Sequence, residues 1–451
     1  MTHDELARIA DAERRAAAYL AGAAERRPFP DAAALAALAG FDAPLPELPG
    51  DAGETLALLD ALGSPGTVAS NGPRYFGFVI GAALPVAAAA DRLVLAWDQN
   101  ASSHDSSPAS AAIERIATKY VLDVLDLPRE SAIGFGTSAT ACTIAALSAA
   151  RRAMLARAGW DFDRDGLMGA PEIRVVVSRL SHITVYKALR LLGFGTARLI
   201  VAETDDHGRV DPARLPALDD RTILILQAGE VNTGEFDPFA AILPLARAAG
   251  AWVHVDGAFG LWARASSPKS SRRALTEGVE LADSWTTDGH KWLNTPYDGA
   301  MTICRDGAAL AAAMNSDAAY FTAAPDAQKN LTLEFSRRPR GVAIWAALRT
   351  LGRAGVAELV DRHCDYARDL GERLAAAGFE VLNRVVINQV LIRCASDDET
   401  LRVRADVLAR GRVWFSPTMW QGRPAMRISI SSWRTGSAEI DLLGDELCAV
   451  F

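Results

Sequence analysis

From about Ser110 onward, short continuous apolar runs alternate with helical stretches, and this alternation limits the fold more than any other feature of the chain. IRVVVSRLSH, ARLIVA, RTILILQAG and AWVHVDGAF read as strands; ACTIAALSAARRAMLARAG, TVYKALRLLG and PFAAILPLARAAG read as the helices between them. AIGFGT reads as a short strand or turn, and DSWTTDGH and AMTICRD as two more strands. A strand that is apolar on every residue must be covered on both faces, and strands joined through helices run parallel. The pattern predicts an α/β domain over 101–340 with a large, mostly parallel sheet covered by helices.

The flanks read differently. Residues 1–100 show helical periodicity from about Asp4 to Ala24 and from Gly53 to Leu62, with Pro28, Pro30, Pro44, Pro46 and Pro49 in the joints. The aromatic, Gly-rich connector NGPRYFGFVIG leads into a further helix ending near Asp98. Residues 341–451 start with helices out to Ala377. Strands near Phe379–Leu382, Ile387–Cys394 and Arg427–Ser431 and a last helix follow, a smaller α/β domain. The stretch from Asn315 to Arg340 is polar and irregular, long for a plain connection.

Composition narrows the function classes. A net charge of −8 weighs against a nucleic-acid surface. The five cysteines are scattered with no CxxC pair, which fits free thiols better than a disulfide frame or a zinc site. The charged N-terminal stretch lacks the apolar run of a signal peptide, and no segment reaches the ~20 apolar residues of a membrane span. The chain reads as cytoplasmic.

Four features could carry chemistry. Of the 47 basic residues only five are lysines, Lys119, Lys187, Lys269, Lys291 and Lys329. Lys291 alone stands at the end of a predicted strand, between His290 and Trp292, in surroundings that favour a nucleophilic amine. Asp256 ends the apolar run WVHVD, where open α/β sheets hold their ligands; it is a helix cap, a buried ion pair with an arginine, or a counter-ion to a cofactor's protonated pyridine nitrogen. Ala258 beside it would let a flat ring approach. GFGTSATACT, Gly134 to Thr143, places Thr137, Ser138 and Thr140 at a helix start, an anion site in principle. His182 in RLSH is a catalyst or a structural hydrogen-bonder. Each is ambiguous alone.

In this order, with Asp256 and Lys291 35 residues apart, HVDGAFG and DGHKW resemble the signature of the group II amino-acid decarboxylases that use pyridoxal 5'-phosphate (PLP). These are the aromatic-amino-acid, glutamate and diaminobutyrate decarboxylases. SPASAAIE (Ser107 to Glu114) and RRPRGVAIW (Arg337 to Trp345) support the resemblance, which covers roughly Pro73 to Thr435. It implies a PLP-dependent transferase fold (aspartate aminotransferase-like). It implies Lys291 as the Schiff-base lysine, Asp256 as partner of the ring nitrogen and His182 stacked on the ring. Ala139 and Thr140 would bind phosphate with help from His290, and Asp288 stands where some members have asparagine. Tyr320 falls where the family's mobile loop carries a catalytic acid. A homodimer is implied, wrapped by the N-terminal region, so that Phe76 and Phe78 line the neighbouring active site. Arg427, in RPAMRISISSWRT, is a carboxylate binder or a structural pair. The implied reaction releases carbon dioxide and an amine from an L-amino acid. The alternatives are an aldehyde synthase, a carbon–carbon lyase or aldolase, and a non-catalytic PLP-binding partner.

Overall fold

The computed structural model describes residues 2–315 and 326–451. Twelve strands occur among them: β1 Tyr75–Phe76, β2 Ala132–Gly136, β3 Arg174–Ser178, β4 Ile200–Ala202, β5 Thr222–Gln227, β6 Trp252–Asp256, β7 Ser284–Asp288, β8 Ala300–Cys304, β9 Glu380–Val381, β10 Gln389–Arg393, β11 Trp414–Trp420 and β12 Arg423–Ser429. Seven of them form the large sheet in the order β2-β8-β7-β6-β5-β3-β4. All are parallel neighbours except β8, which runs antiparallel to both β2 and β7.

The expected two-sided burial is visible residue by residue along β5. Ile223 and Ile225 pack into a core with helices Ala139–Arg157 and Ile183–Leu191, while Leu224 and Leu226 face a second core with Pro108–Val124, Phe239–Ala248 and Gly341–Ala376. Alternate side chains leave a strand on opposite faces, so each face demands its own helical cover. At roughly 25 cal/mol per Å² of apolar area removed from water, this double burial is the main stabiliser of the sheet.

The smaller sheet has the order β1-β11-β12-β10-β9 and its own core, containing Phe76, Val390, Ile392, Phe415, Met426 and Ile428. Two of its strands escape the sequence pattern. β11 contains Pro417, which cannot donate to a ladder and argues against a strand. The structure accommodates it because β1 pairs only with Trp414 and Phe415, leaving β11 an edge at Pro417. β1 is two residues long and comes from the N-terminal connector, so that segment completes a sheet built otherwise from 380–429.

The helix Gly341–Ala376 links the large sheet to the small one and is interrupted at Gly352, whose φ of 60° is open to glycine and strained for other residues. All five cysteines are free thiols. Among the described residues, no helix is long and apolar enough to cross a membrane.

Candidate active site

The parallel strands β3, β5, β6 and β7 end at the same edge of the large sheet, and the chain leaving each of them contributes to one cavity of about 270 Å³. His182 and Thr184 follow β3; Gln227, Gly229 and Val231 end or follow β5; Asp256, Ala258 and Phe259 end or follow β6; Asp288 and Lys291 end or follow β7. This is the edge at which open α/β sheets bind ligands, because the strand ends and helix starts there leave backbone groups free to face a guest. Ser138, Ala139 and Thr140 supply the floor; Phe78, Val79 and Arg427 supply a wall.

The floor is the start of the helix Ala139–Arg157. Ser138 caps it by accepting the Ala141 N–H at 3.3 Å. Asp288 takes another orphan donor: its Oδ1 accepts the Ala139 N–H at 2.8 Å. The other oxygen of Asp288 lies 3.3 Å from Lys291 Nζ. His290 lies behind this pair. Its Nδ1 accepts the Gly299 N–H at 3.2 Å and its Nε2 is 3.7 Å from Asp288. Burial holds the His290 imidazole below its ordinary range, and its ring stacks on Tyr297 at 4.3 Å between centroids.

Asp256 is buried, and its carboxylate accepts the Ala258 N–H at 3.2 Å. Burial pushes its carboxyl up, against the pull of Lys291 and His182. A carboxylate in that position asks for a cationic partner inside the cavity. His182 caps the helix Ile183–Leu191: its Nδ1 is 2.7 Å from the Thr184 hydroxyl and accepts the Thr184 N–H. Burial lowers its pKa, which favours the neutral ring that can lie against an aromatic guest.

The sequence reading singled out Lys291, Asp256, Asp288, His182, Ala139, Thr140 and Ala258, and the fold gathers all seven around this cavity. Phe78, expected to line the neighbouring subunit's active site, lines the cavity of its own chain. His290 stands one layer back. Phe76 is elsewhere: it is fully buried in the smaller core, in register with Phe415. Tyr320 lies outside the described residues. Arg427, read from sequence as carboxylate binder or structural pair, lines the cavity; its guanidinium donates to the Val231 carbonyl at 3.2 Å and stands 5.8 Å from the Phe78 ring centre. Burial lowers its pKa.

Gln227 was not anticipated. It ends β5 in register with Asp256 on β6, and its Nε2 is buried without a hydrogen-bond partner among the described residues. The signal was present in RTILILQAG, since a polar residue ending an apolar strand is the same cue that marked Asp256.

The residues fit a flat, anionic, aldehyde-bearing cofactor with a basic ring nitrogen. The cavity offers an amine, a buried carboxylate, an imidazole that burial biases toward its neutral form and a helix start. Comparison with known proteins agrees. The family model described as pyridoxal-dependent decarboxylase conserved domain matches residues 56–395. The chain is 26% identical over 374 residues to an L-2,4-diaminobutyrate decarboxylase of Rhizobium meliloti (strain 1021), covering 77% of this chain and 72% of that protein. It is 30% identical over 324 residues to tryptophan decarboxylase 1 of Oryza sativa subsp. japonica, covering 65% of this chain and 61% of that protein. The crystal structure of Oryza sativa TDC with PLP and tryptamine superposes with a TM-score of 0.91 at 22% identity, over 100% of this chain and 98% of the other, which establishes the fold. The alternating strands, the shared edge with its lysine and carboxylate, and the family match over most of the chain lead to one assignment: this protein belongs to the pyridoxal-dependent decarboxylase family, PLP-dependent carboxy-lyases built on the aspartate-aminotransferase-like fold.

Proposed function

We propose that the protein decarboxylates an L-amino acid to the corresponding amine, with Lys291 as the residue that holds the cofactor covalently. Bound PLP supplies an electron sink for the pair released when the carboxylate leaves. Asp256 keeps a proton on the ring nitrogen, and the same interaction relieves its own burial. His182 presents a neutral ring face to the cofactor, oriented by Thr184. The start of the helix Ala139–Arg157, with Thr140 facing the cavity, holds the phosphate. Arg427, fixed by the Val231 carbonyl, holds a carboxylate of the substrate against the Phe78 wall. Tyr320 returns a proton to the α-carbon, a role that rests on its place in the sequence.

The assembly is a homodimer, with 1–100 as the segment that wraps the partner. Leu93 and Leu95, 55% and 71% exposed on the helix Pro85–Trp97, suit such a contact.

The observation that carries the reading is that Lys291 shares one cavity with a buried carboxylate, Asp256, whose pKa burial raises against the pull of that lysine. The test is borohydride reduction of the purified holoprotein followed by peptide mapping, with carbon dioxide release measured across a panel of amino acids. A pyridoxyl label on Lys291 together with amine formation supports the reading. A label on another lysine, or products other than the amine, overturns it.

A further inference from the structure

Lys291 opens a turn whose fourth residue, Asn294, is fully buried and holds a φ of 58°. The side chain of Asn294 is saturated. Its Nδ2 lies 3.1 Å from the Lys291 carbonyl, 2.8 Å from that of Trp292 and 2.9 Å from that of Ser431, so two protons are shared among three acceptors. Its Oδ1 accepts the Trp433 N–H at 2.7 Å, and its backbone carbonyl accepts the Leu84 N–H at 2.7 Å. The Ser431 hydroxyl donates to the Ile80 carbonyl at 3.1 Å. A second tie runs alongside: the Trp292 indole donates to His363 Nδ1 at 3.0 Å, and His363 Nε2 donates to the Ser432 carbonyl at 3.0 Å.

Three segments distant in sequence therefore meet at Asn294. The segment 80–84 continues directly from Phe78 and Val79, which wall the cavity. The segment 431–433 continues from β12, which carries Arg427. The turn between them starts with the lysine. We propose that Asn294 is a positioning residue for Lys291: its carboxamide fixes the backbone of the lysine against the Phe78–Val79 wall and the strand of Arg427. It thereby sets the geometry in which the lysine amine bonds to the cofactor's aldehyde carbon with loss of one water. The inference rests on the assignment of Lys291 above.

The residue type suits the task. Asparagine tolerates the left-handed backbone and brings both donors and an acceptor. Aspartate would turn an acceptor toward three carbonyls, and glycine would keep the backbone but lose every side-chain bond. Gly81 reports on the same turn from the other side. A Cβ on it would lie 2.5 Å from the Lys291 carbonyl oxygen and 2.4 Å from Asn294 Nδ2.

The experiment uses the PLP-loaded holoprotein and two variants, Asn294→Gly and Gly81→Ala. The first removes the bonds while keeping a residue at home with positive φ; the second displaces the turn with Asn294 intact. Borohydride mapping of the wild type comes first: a label absent from Lys291 defeats the lysine assignment itself. With the label in place, absorbance of the lysine-bound cofactor is titrated with pH in all three proteins. The titratable and charged neighbours of the lysine (Asp288, Asp256, His182, His290 and Arg427) are unchanged in both variants, so a moved midpoint reports geometry. The expected result is a midpoint moved by about one unit and a kcat lower on the order of 10- to 100-fold, with KM changed much less. Either variant showing this, with the label still on Lys291, supports the inference even if the other fails to fold. Labelled variants with wild-type midpoint and kcat overturn it, whatever their melting temperature.

Discussion

One carboxylate, that of Asp288, joins the floor of the cavity to its lysine: one oxygen accepts the Ala139 N–H at 2.8 Å and the other lies 3.3 Å from Lys291 Nζ. A side chain at the end of β7 thus ties the first N–H of the helix Ala139–Arg157 to the residue proposed to hold the cofactor. Removing the acceptor leaves a donor at the helix start without its partner, a loss of about 1–3 kcal/mol. Asp288→Ala should therefore lower stability by that amount and weaken retention of PLP. Asp288→Asn, which keeps an acceptor for Ala139, should lose less than half as much stability. Denaturant titration and dialysis against buffer without PLP measure the two effects.

Asp256 sets activity against stability. Its folded-state pKa is raised by burial, so the folded protein without cofactor binds this proton more tightly than the unfolded chain does. Stability from this group is present below the ordinary carboxylate range near 4 and is lost as pH rises above it. Asp256→Asn should flatten that part of the profile and leave the apoprotein as stable or more stable at neutral pH. The same variant should reduce carbon dioxide release by about 1,000-fold or more, the effect of losing several kcal/mol of charge stabilisation. Apoprotein melting curves against pH, paired with turnover assays, check both halves.

Two buried histidines govern the acid limb. His254 and His363 are both pushed down to about 3 by burial, so the folded protein keeps them neutral while the unfolded chain protonates them near 6.5. Their contribution is complete above that value and is lost as pH falls from about 6.5 toward 3, each adding a slope of about 1.4 kcal/mol per pH unit. His363→Gln should remove one such slope. Unfolding free energies at several pH values between 4 and 7 read it directly, and an unchanged slope would contradict the assignment.

Beneath the site, Arg337 and Glu114 form a fully buried ion pair, and Glu114 also accepts the Gly341 N–H at 3.0 Å. Breaking such a pair strands a charge, so Arg337→Met should cost about 3–5 kcal/mol. Adding Glu114→Gln, which neutralises the stranded carboxylate and keeps an acceptor for Gly341, should recover part of that loss. A double-mutant cycle by denaturant unfolding gives the coupling.

Tyr320 offers a test that depends on product rather than stability. Tyr320→Phe should reduce amine formation by about 10²–10⁴-fold, the usual range for a positioned acid, or divert the product to an aldehyde. Chromatographic analysis of the products distinguishes these outcomes from unchanged amine formation, which would remove the tyrosine from the mechanism.

The sequence by itself determined the large sheet and most of its ligand edge. Apolar runs such as RTILILQ and AWVHVD can be satisfied only by cover on both faces, and the polar residue ending such a run, as at Asp256, must meet either a ligand or a charge. Lys291 and His182 stood out by their place at strand ends and the turn at Ala139 as a Gly/Ser/Thr-rich helix start, while their roles came only from the resemblance of the motifs to a family. Only the tertiary structure decided what crosses the cavity from far away in the chain. Pro417 hid β11, and two residues were too few to reveal β1. Phe76 and Phe78, two positions apart, are sent to different places because a strand's alternate backbone pairing ends between them, one buried against Phe415 and the other left at the wall. The grip of Asn294 on Ser431 and Trp433, like that of Arg427 on Val231, joins residues more than a hundred positions apart. Local periodicity carries no information about such pairs, because their geometry is set by how the two sheets pack and not by any spacing along the chain.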